Sequence, residues 1–166
     1  MPEIIIIAAV AQNKAIGYKN GLLYRLSADM KHFKSLTVGN TVLMGRKTFE
    51  SLPKGALPDR RNIVVSRNRN AEFPGCELFH SIDEALAACK SDEKVFIIGG
   101  ASIYSETIGI ATRLALTFVH DTPEKADVFF PEYDNSLWKE VGRESHKADE
   151  RNEKDFDFVD YVRTGE

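Results

Sequence analysis

"EIIIIAAVA", Glu3 to Ala11, is the stretch on which the fold turns. It is a near-continuous apolar run of strand length, without the in–out alternation of a half-exposed strand, and it reads as a strand buried on both faces. Further strand candidates follow at Thr41 to Met44, Asn62 to Ser66, Lys94 to Ile98 and Arg113 to His120. Two more close the chain, Trp138 to Ser145 and Phe156 to Val162, the last with the alternation of an edge strand. Helices fit between them at Ser27 to Thr37, Arg46 to Leu52, Ser81 to Lys90 and Ala101 to Ile108. Ser27 stands as the N-cap of the first, and Ser81 with Glu84 has capping-box spacing ahead of the third. The strand–helix alternation of the first two thirds predicts an α/β fold: a mostly parallel sheet with helices on both faces. The strand-rich last third should add an antiparallel C-terminal edge.

The chain of 166 residues, 43% hydrophobic and 28% charged, is the size of one domain with a real core, so residues 1–166 are taken as a single unit. Its longest apolar run, Ile4 to Ala11, is far short of the roughly 20 residues that span a bilayer, and Glu3 precedes it where a signal peptide would be basic. No membrane partner is expected, and a cytoplasmic location is. Two cysteines, Cys76 and Cys89, match neither a disulfide framework nor a zinc site. The four histidines are not spaced as ligands, so no metal is expected. A net charge of −3 gives no pull toward nucleic acid, but its distribution is uneven. Arg46 to Arg69 holds seven basic residues against two acidic ones, leaving +5 there and −8 elsewhere. A local anion site is one reading and a solvated face is the other. The acidic tail, with 14 acidic and 7 basic residues from Asp121 onward, reads as a solvated face, and a monomer is the default state.

One residue breaks its pattern. At about 100° per residue, Asp29 in "LLYRLSADMKHF" falls on the same helix side as Met30, Phe33 and Leu36, the side that should meet apolar surroundings. Two strand-to-helix junctions also carry glycine: "VLMGRKTFES", with Gly45 ahead of Arg46, Lys47 and Thr48, and "VFIIGGASIY", with Gly99 and Gly100. Such junctions aim free helix N-terminal N–H groups at the C-terminal edge of the sheet, where open α/β sheets bind ligands. Neither is the full G-x-G-x-x-G fingerprint, and a lone GG serves as often for packing as for phosphate. Two of them plus the basic segment favour a dinucleotide, with Lys47 and Arg67 fit for a 2′-phosphate.

"AAVAQNKAIGYKNGLLYRLSADMKHFK", "VLMGRKTFESL", "LPDRRNIVVSR", "VFIIGGASIYSE", "LTFVH" and "ADVFFPEY" resemble, in order, the blocks of bacterial-type dihydrofolate reductases, over Ile4 to Val162. The resemblance implies a central eight-stranded, mostly parallel sheet and NADPH-dependent reduction of 7,8-dihydrofolate to tetrahydrofolate. It places the site carboxylate at Asp29, hydrogen-bonded to Thr117, with a raised pKa expected from burial. Leu22 and Tyr24, counted with Asp29 and Thr117 among the catalytic residues, would belong to the loop that closes over the substrate. Phe33, Leu52 and Leu57 would sandwich its rings with Met30 beside them, the backbone of Ile7 and Ile98 would face the pterin, and Ala9 would adjoin both ligands. Arg60 would pair with the glutamate α-carboxylate. Ala9, Ile16 and Gly17 would meet the nicotinamide end of NADPH. Gly45, Arg46, Thr48, Ile98, Gly99, Gly100, Ala101, Ser102, Ile103 and Tyr104 would hold its pyrophosphate and surroundings. Val65, Ser66, Arg67 and Lys47 would take the 2′-phosphate end.

The chain departs from its relatives in two places. Leu23-Tyr24 stands where many carry Pro-Trp, whose indole N–H fixes a water near the pterin; a tyrosine hydroxyl would reach that water only from another position. Ala101-Ser102 follows the glycine pair where an arginine is common, which moves the cationic share of phosphate binding to Lys47 and Arg67. Two rival readings of the sequence remain. A pyrimidine reductase of riboflavin synthesis would not need Asp29 beside Phe33 with an Arg60 clamp, and a non-enzymatic nucleotide-binding module would have no use for the carboxylate.

Overall fold

The computed structural model describes residues 1–164; the last two residues of the expected single unit lie outside the described residues. The chain runs β1 (Glu3–Ala11), β2 (Ala15–Gly17), α1 (Ser27–Thr37), β3 (Thr41–Gly45), α2 (Arg46–Ser51), β4 (Arg61–Val65), β5 (Glu77–Phe79) and α3 (Ile82–Ala87). It continues through β6 (Lys94–Gly99), α4 (Ala101–Thr107), β7 (Arg113–Val119), β8 (Val128–Phe129), β9 (Trp138–His146) and β10 (Phe156–Arg163).

The apolar run of β1 sits inside an eight-stranded sheet of order β5-β4-β3-β6-β1-β7-β10-β9. It pairs in parallel with β6 on one side and β7 on the other. Both faces are covered, which explains the missing alternation. Ile4, Ile6, Ala8 and Val10 pack into the core that holds α3 and α4 residues Ile82, Leu86, Ile103 and Tyr104. Ile5 and Ile7 face the opposite core, closed by Phe33 and Leu36 of α1, Phe49 of α2, and Leu52 and Leu57 beyond it. One strand therefore divides two hydrophobic cores by the two-residue period of its side chains.

Helices on both faces and a mostly parallel sheet agree with the sequence reading, and the antiparallel C-terminal edge is present, since β10 runs antiparallel to both β7 and β9. Several details differ. The alternating strand β10 is internal, and β9 takes the edge; the buried residues of β10, Phe156, Asp157 and Val159, lie on both of its faces and in its first half, so its alternation does not mark an unpaired side. The third helix ends at Ala87 instead of Lys90, and the second at Ser51 instead of Leu52. Ser81 does cap the third helix, its hydroxyl accepting the Glu84 N–H at 3.0 Å. Three short strands, β2, β5 and β8, have no counterpart in the sequence reading; β2 and β8 form a separate antiparallel ribbon. Cys76 and Cys89 are free thiols, and no described helix is long and apolar enough to cross a membrane.

Candidate active site

The carboxylate that broke the helical pattern lies where α1 crosses the C-terminal half of β7. Asp29 Oδ1 accepts a 2.5 Å hydrogen bond from the Thr117 hydroxyl. Thr117 is buried and stands in register with Ala9 of β1. Burial holds the Asp29 carboxyl above its ordinary value, opposed by the Thr117 hydrogen bond and the nearby His32. The expected raised pKa and the expected partner are both present.

Ser27 does not cap α1. Leu26 occupies the N-cap position and Ser27 is already helical. The acceptor arrives from far away in sequence: Asn152 Oδ1 takes the Ala28 N–H at 3.0 Å, while the Arg151 carbonyl takes the Ser27 N–H at 3.1 Å. A loop that had no signature of its own in the sequence thus completes the helix end that carries Asp29.

The residues expected around a flat ring come together on one face. Ile7, Phe33, Leu52, Leu57 and Ile98 all belong to the core on the α1 side of the sheet. Met30 points away from that core and is 63% exposed, so the apolar wall beside Asp29 is built by Phe33 and Leu36. At the far end of α1, Thr37 Oγ1 accepts from Arg60 Nη1 at 3.0 Å, and Arg60 Nε donates to the Pro58 carbonyl at 2.8 Å. Eight residues of helix separate Asp29 from Thr37, a rise of about 12 Å. A carboxylate, an apolar wall and a guanidinium therefore lie in line along α1, suited to a molecule with a donor-rich ring at one end and an anion at the other.

The glycine junctions meet in space because β3 and β6 are neighbours, with Met44 opposite Gly99. Gly45 and Gly100 are the N-caps of α2 and α4, and neither helix start receives a side-chain cap. A Cβ on Gly45 would lie 3.1 Å from Ile103 Cγ1, and one on Gly99, where φ is +128°, would lie 3.1 Å from Thr48 Oγ1. The Gly99–Gly100 peptide is cis. Both approaches are tight: a side chain at Gly45 would have to displace Ile103, and one at Gly99 would also strain the backbone, so glycine at these positions keeps the two helix starts accessible to a phosphate. Val65 ends β4 in register with Gly45, so Ser66 and Arg67 emerge beside Lys47. The expected cofactor residues accordingly follow the C-terminal ends of four adjacent strands, β4, β3, β6 and β1, with Ile16 and Gly17 on the ribbon strand β2. This donor set fits a phosphate-bearing dinucleotide.

The basic segment is not one site. Arg61 is held by Glu77 at 2.6 Å and by Glu93 at 2.9 Å, at the opposite edge of the sheet. Arg46 is paired with Glu50 at 2.8 Å. Lys47 and Arg67 are exposed.

Tyr104 is buried, and its hydroxyl donates to the Ile7 carbonyl at 2.8 Å. Burial and the charge of Asp29 hold that hydroxyl above its ordinary value, which keeps it a donor. Leu22 is 78% exposed. The Tyr24 hydroxyl donates to Asp121 Oδ2 at 2.8 Å. Asp121, Asn152 and Glu153, whose carboxylate accepts the Arg25 N–H at 3.2 Å, were missed from the sequence. They lie in polar turns whose composition matches any exposed loop, and only the folded contact distinguishes them.

The family model for dihydrofolate reductase matches residues 3–163. Similar proteins include a dihydrofolate reductase type 3 of Salmonella typhimurium, 44% identical over 94% of this chain and 95% of that protein. Another is a dihydrofolate reductase of Bacillus subtilis strain 168, 41% identical over 93% of this chain and 91% of that one. Among solved structures, a dihydrofolate reductase from Enterococcus faecalis in complex with NADP(H) and RAB-propyl superposes with a TM-score of 0.92 at 34% identity, covering 98% of this chain and 97% of the other.

Proposed function

The chain belongs to the dihydrofolate reductase family, and from that premise we propose how its residues divide the work of reducing 7,8-dihydrofolate to 5,6,7,8-tetrahydrofolate. The reaction takes NADPH as cofactor, which supplies the hydride accepted by the pterin imine carbon. The observation that carries the division of labour is the partly buried Asp29 carboxylate, fixed by Thr117 against an apolar wall.

The pterin ring presents a ring N–H beside an exocyclic amine, an edge that two carboxylate oxygens grip with paired hydrogen bonds. Thr117 occupies one lone pair of Oδ1 and sets the plane of the carboxylate, leaving Oδ2 and the outer side of Oδ1 for the ring. Asp29, its pKa raised by burial, binds the ring as an ion or near-ion. Phe33, Leu52 and Leu57 hold the rings in the orientation that hydride transfer demands, and such positioning supplies much of the acceleration. Arg60 takes the α-carboxylate at the other end of the substrate. Among the described residues no second acid belongs to the pterin set, so the proton reaches the imine nitrogen through water while Asp29 polarises the ring. Lys47, Ser66 and Arg67 bind the 2′-phosphate, and the N–H groups after Gly45 and Gly100 bind the pyrophosphate.

The same reading takes the chain as one domain, 1–166, acting as a monomer in the cytoplasm. Its sheet edges support this: β5 is three residues long, and β9 carries Lys139, Glu140, Arg143 and Glu144, features that resist edge-to-edge pairing. Two free thiols suit a reducing compartment. Light scattering on the purified chain checks the monomer.

Loss of NADPH absorbance with dihydrofolate, and its block by a diaminopyrimidine antifolate, is the direct assay. Asp29→Asn should keep NADPH affinity and lose turnover by about 10²-fold or more near neutral pH, where protonated substrate is scarce. Near-wild-type turnover at neutral pH in that variant overturns the assignment.

A further inference from the structure

We infer that Asp121 is a positioning residue for the reduction, acting through Tyr24 to hold the segment that leads into the Asp29 helix; this rests on the reading in which Asp29 grips the substrate. Asp121 follows the end of β7 by two residues and sits at a junction of three parts of the chain. Its Oδ2 accepts the Tyr24 hydroxyl at 2.8 Å across 97 residues of sequence. Its backbone carbonyl accepts the Gln12 N–H at 2.9 Å, just beyond the C-terminal end of β1. Lys154, from the β9–β10 loop, brings its ammonium to 3.5 Å from Oδ1 and compensates the charge.

The segment Gly21 to Arg25 is held at its two ends, where Gly21 and Tyr18 exchange backbone hydrogen bonds and Glu153 accepts the Arg25 N–H and donates its own N–H to the Arg25 carbonyl, so Leu22 to Tyr24 between them depend on side-chain contacts. Leu22 is 78% exposed and packs in no core. The Tyr24 ring lies against Leu26, Val119 and Phe156, so apolar contact sets its depth, while the hydrogen bond to Asp121 sets its rotation and the path of the chain. Burial, the hydrogen bond to Asp121 and the charges of Asp121 and Glu153 all hold the Tyr24 phenol above its ordinary value. It therefore remains a neutral donor at working pH, and the contact persists. Tyr24 does not carry a proton to the substrate; its hydroxyl is already committed. What it and Asp121 supply is a fixed path for Leu22 and Leu23, while the entry of α1 itself is held by Arg151, Asn152 and Glu153.

Removing either partner frees the segment while leaving Asp29, Thr117 and the cofactor residues in place. Asp121→Ala and Tyr24→Phe should each lower kcat for dihydrofolate about tenfold. With NADPH deuterated at the transferred position, the primary isotope effect on kcat should rise in both, as hydride transfer becomes more rate-limiting. NADPH affinity should stay within about twofold of wild type. The double variant should be no worse than either single one, because both remove one contact, and Asp121→Asn, which keeps an acceptor, should retain most of the activity. Wild-type kcat and isotope effect in both single variants overturns the inference, as do multiplicative losses in the double variant. Parallel losses of NADPH affinity and melting temperature also overturn it, because they mark a merely structural role. Asp29→Asn in the same assay separates the two levels: wild-type turnover there defeats the reading of the site and this inference with it. Loss there with none in Asp121→Ala defeats the inference alone.

Discussion

At the scale of one residue, Asp29 combines two demands that pull apart. A carboxylate set beside Phe33 and Leu36 is what a donor-rich ring requires, and it is also what an apolar face resists. Burial raises its pKa, so the folded chain binds the proton more tightly than the unfolded chain does. The sign follows. Below the ordinary carboxylate range both states are protonated and Asp29 costs nothing; above the raised folded value both are ionised and the full penalty stands. In the ligand-free protein Asp29→Asn should therefore melt higher than wild type at neutral pH, by about 1–2 kcal/mol or roughly 2–8 °C. The gap should close as the pH falls toward the ordinary carboxylate range. A calorimetric series from pH 4 to pH 8 checks it; a gap independent of pH would show that desolvated charge is not the cause. Sequence periodicity alone exposed this residue, because a charge on an apolar helix face is visible without coordinates. Asp121 was not visible, since its significance lies wholly in a contact with Tyr24 across 97 positions.

Among the elements, α1 shows how local rules yield to tertiary ones. Its span was legible from the spacing of Phe33 and Leu36, but its cap was not. The local candidate, Ser27, lies one position too late, and the polar side chain at the helix start comes from Asn152. Asn152→Ala should cost about 1 kcal/mol, the usual worth of an N-cap acceptor, seen as a shift of about 2–4 °C in melting temperature. An unchanged melting temperature would mean that water replaces the acceptor. The strands divide in the same way. β1, β3, β4, β6 and β7 are apolar runs whose burial on both faces marks them in sequence. β2, β5 and β8 have two or three residues each, too short for any period, and exist only because a neighbouring backbone offers its hydrogen bonds.

For the whole molecule, an acidic chain carries a basic rim at one end of its sheet. Arg61 is neutralised at the opposite edge and Arg46 is paired with Glu50, so the exposed cations beside the glycine cradle are Lys47 and Arg67. Arg67→Ala should weaken NADPH about tenfold or more while leaving NADH nearly unchanged, the discrimination expected when one charged hydrogen-bonding partner of a phosphate is lost. Equal losses for both cofactors, measured by fluorescence titration, would assign Arg67 a general role instead. The alternation of strands and helices, the helices on both faces and the places of the candidate residues in the apolar framework and at the glycine junctions could be read, because burial and glycine mark them in sequence, whereas the order of strands within the sheet could not.

That α1 is capped by Asn152, and that β10 inserts between β7 and β9, also sets the order in which the site can arise. During synthesis Asp29 emerges early, but the loop that steadies its helix is more than 120 residues behind it. A nascent chain stalled on the ribosome soon after β7 would already contain every residue expected to touch either ligand. It would still lack the cap and the last two strands, so we expect NADPH and antifolate retention to begin only once β10 itself, carried on an added tether, has cleared the exit tunnel.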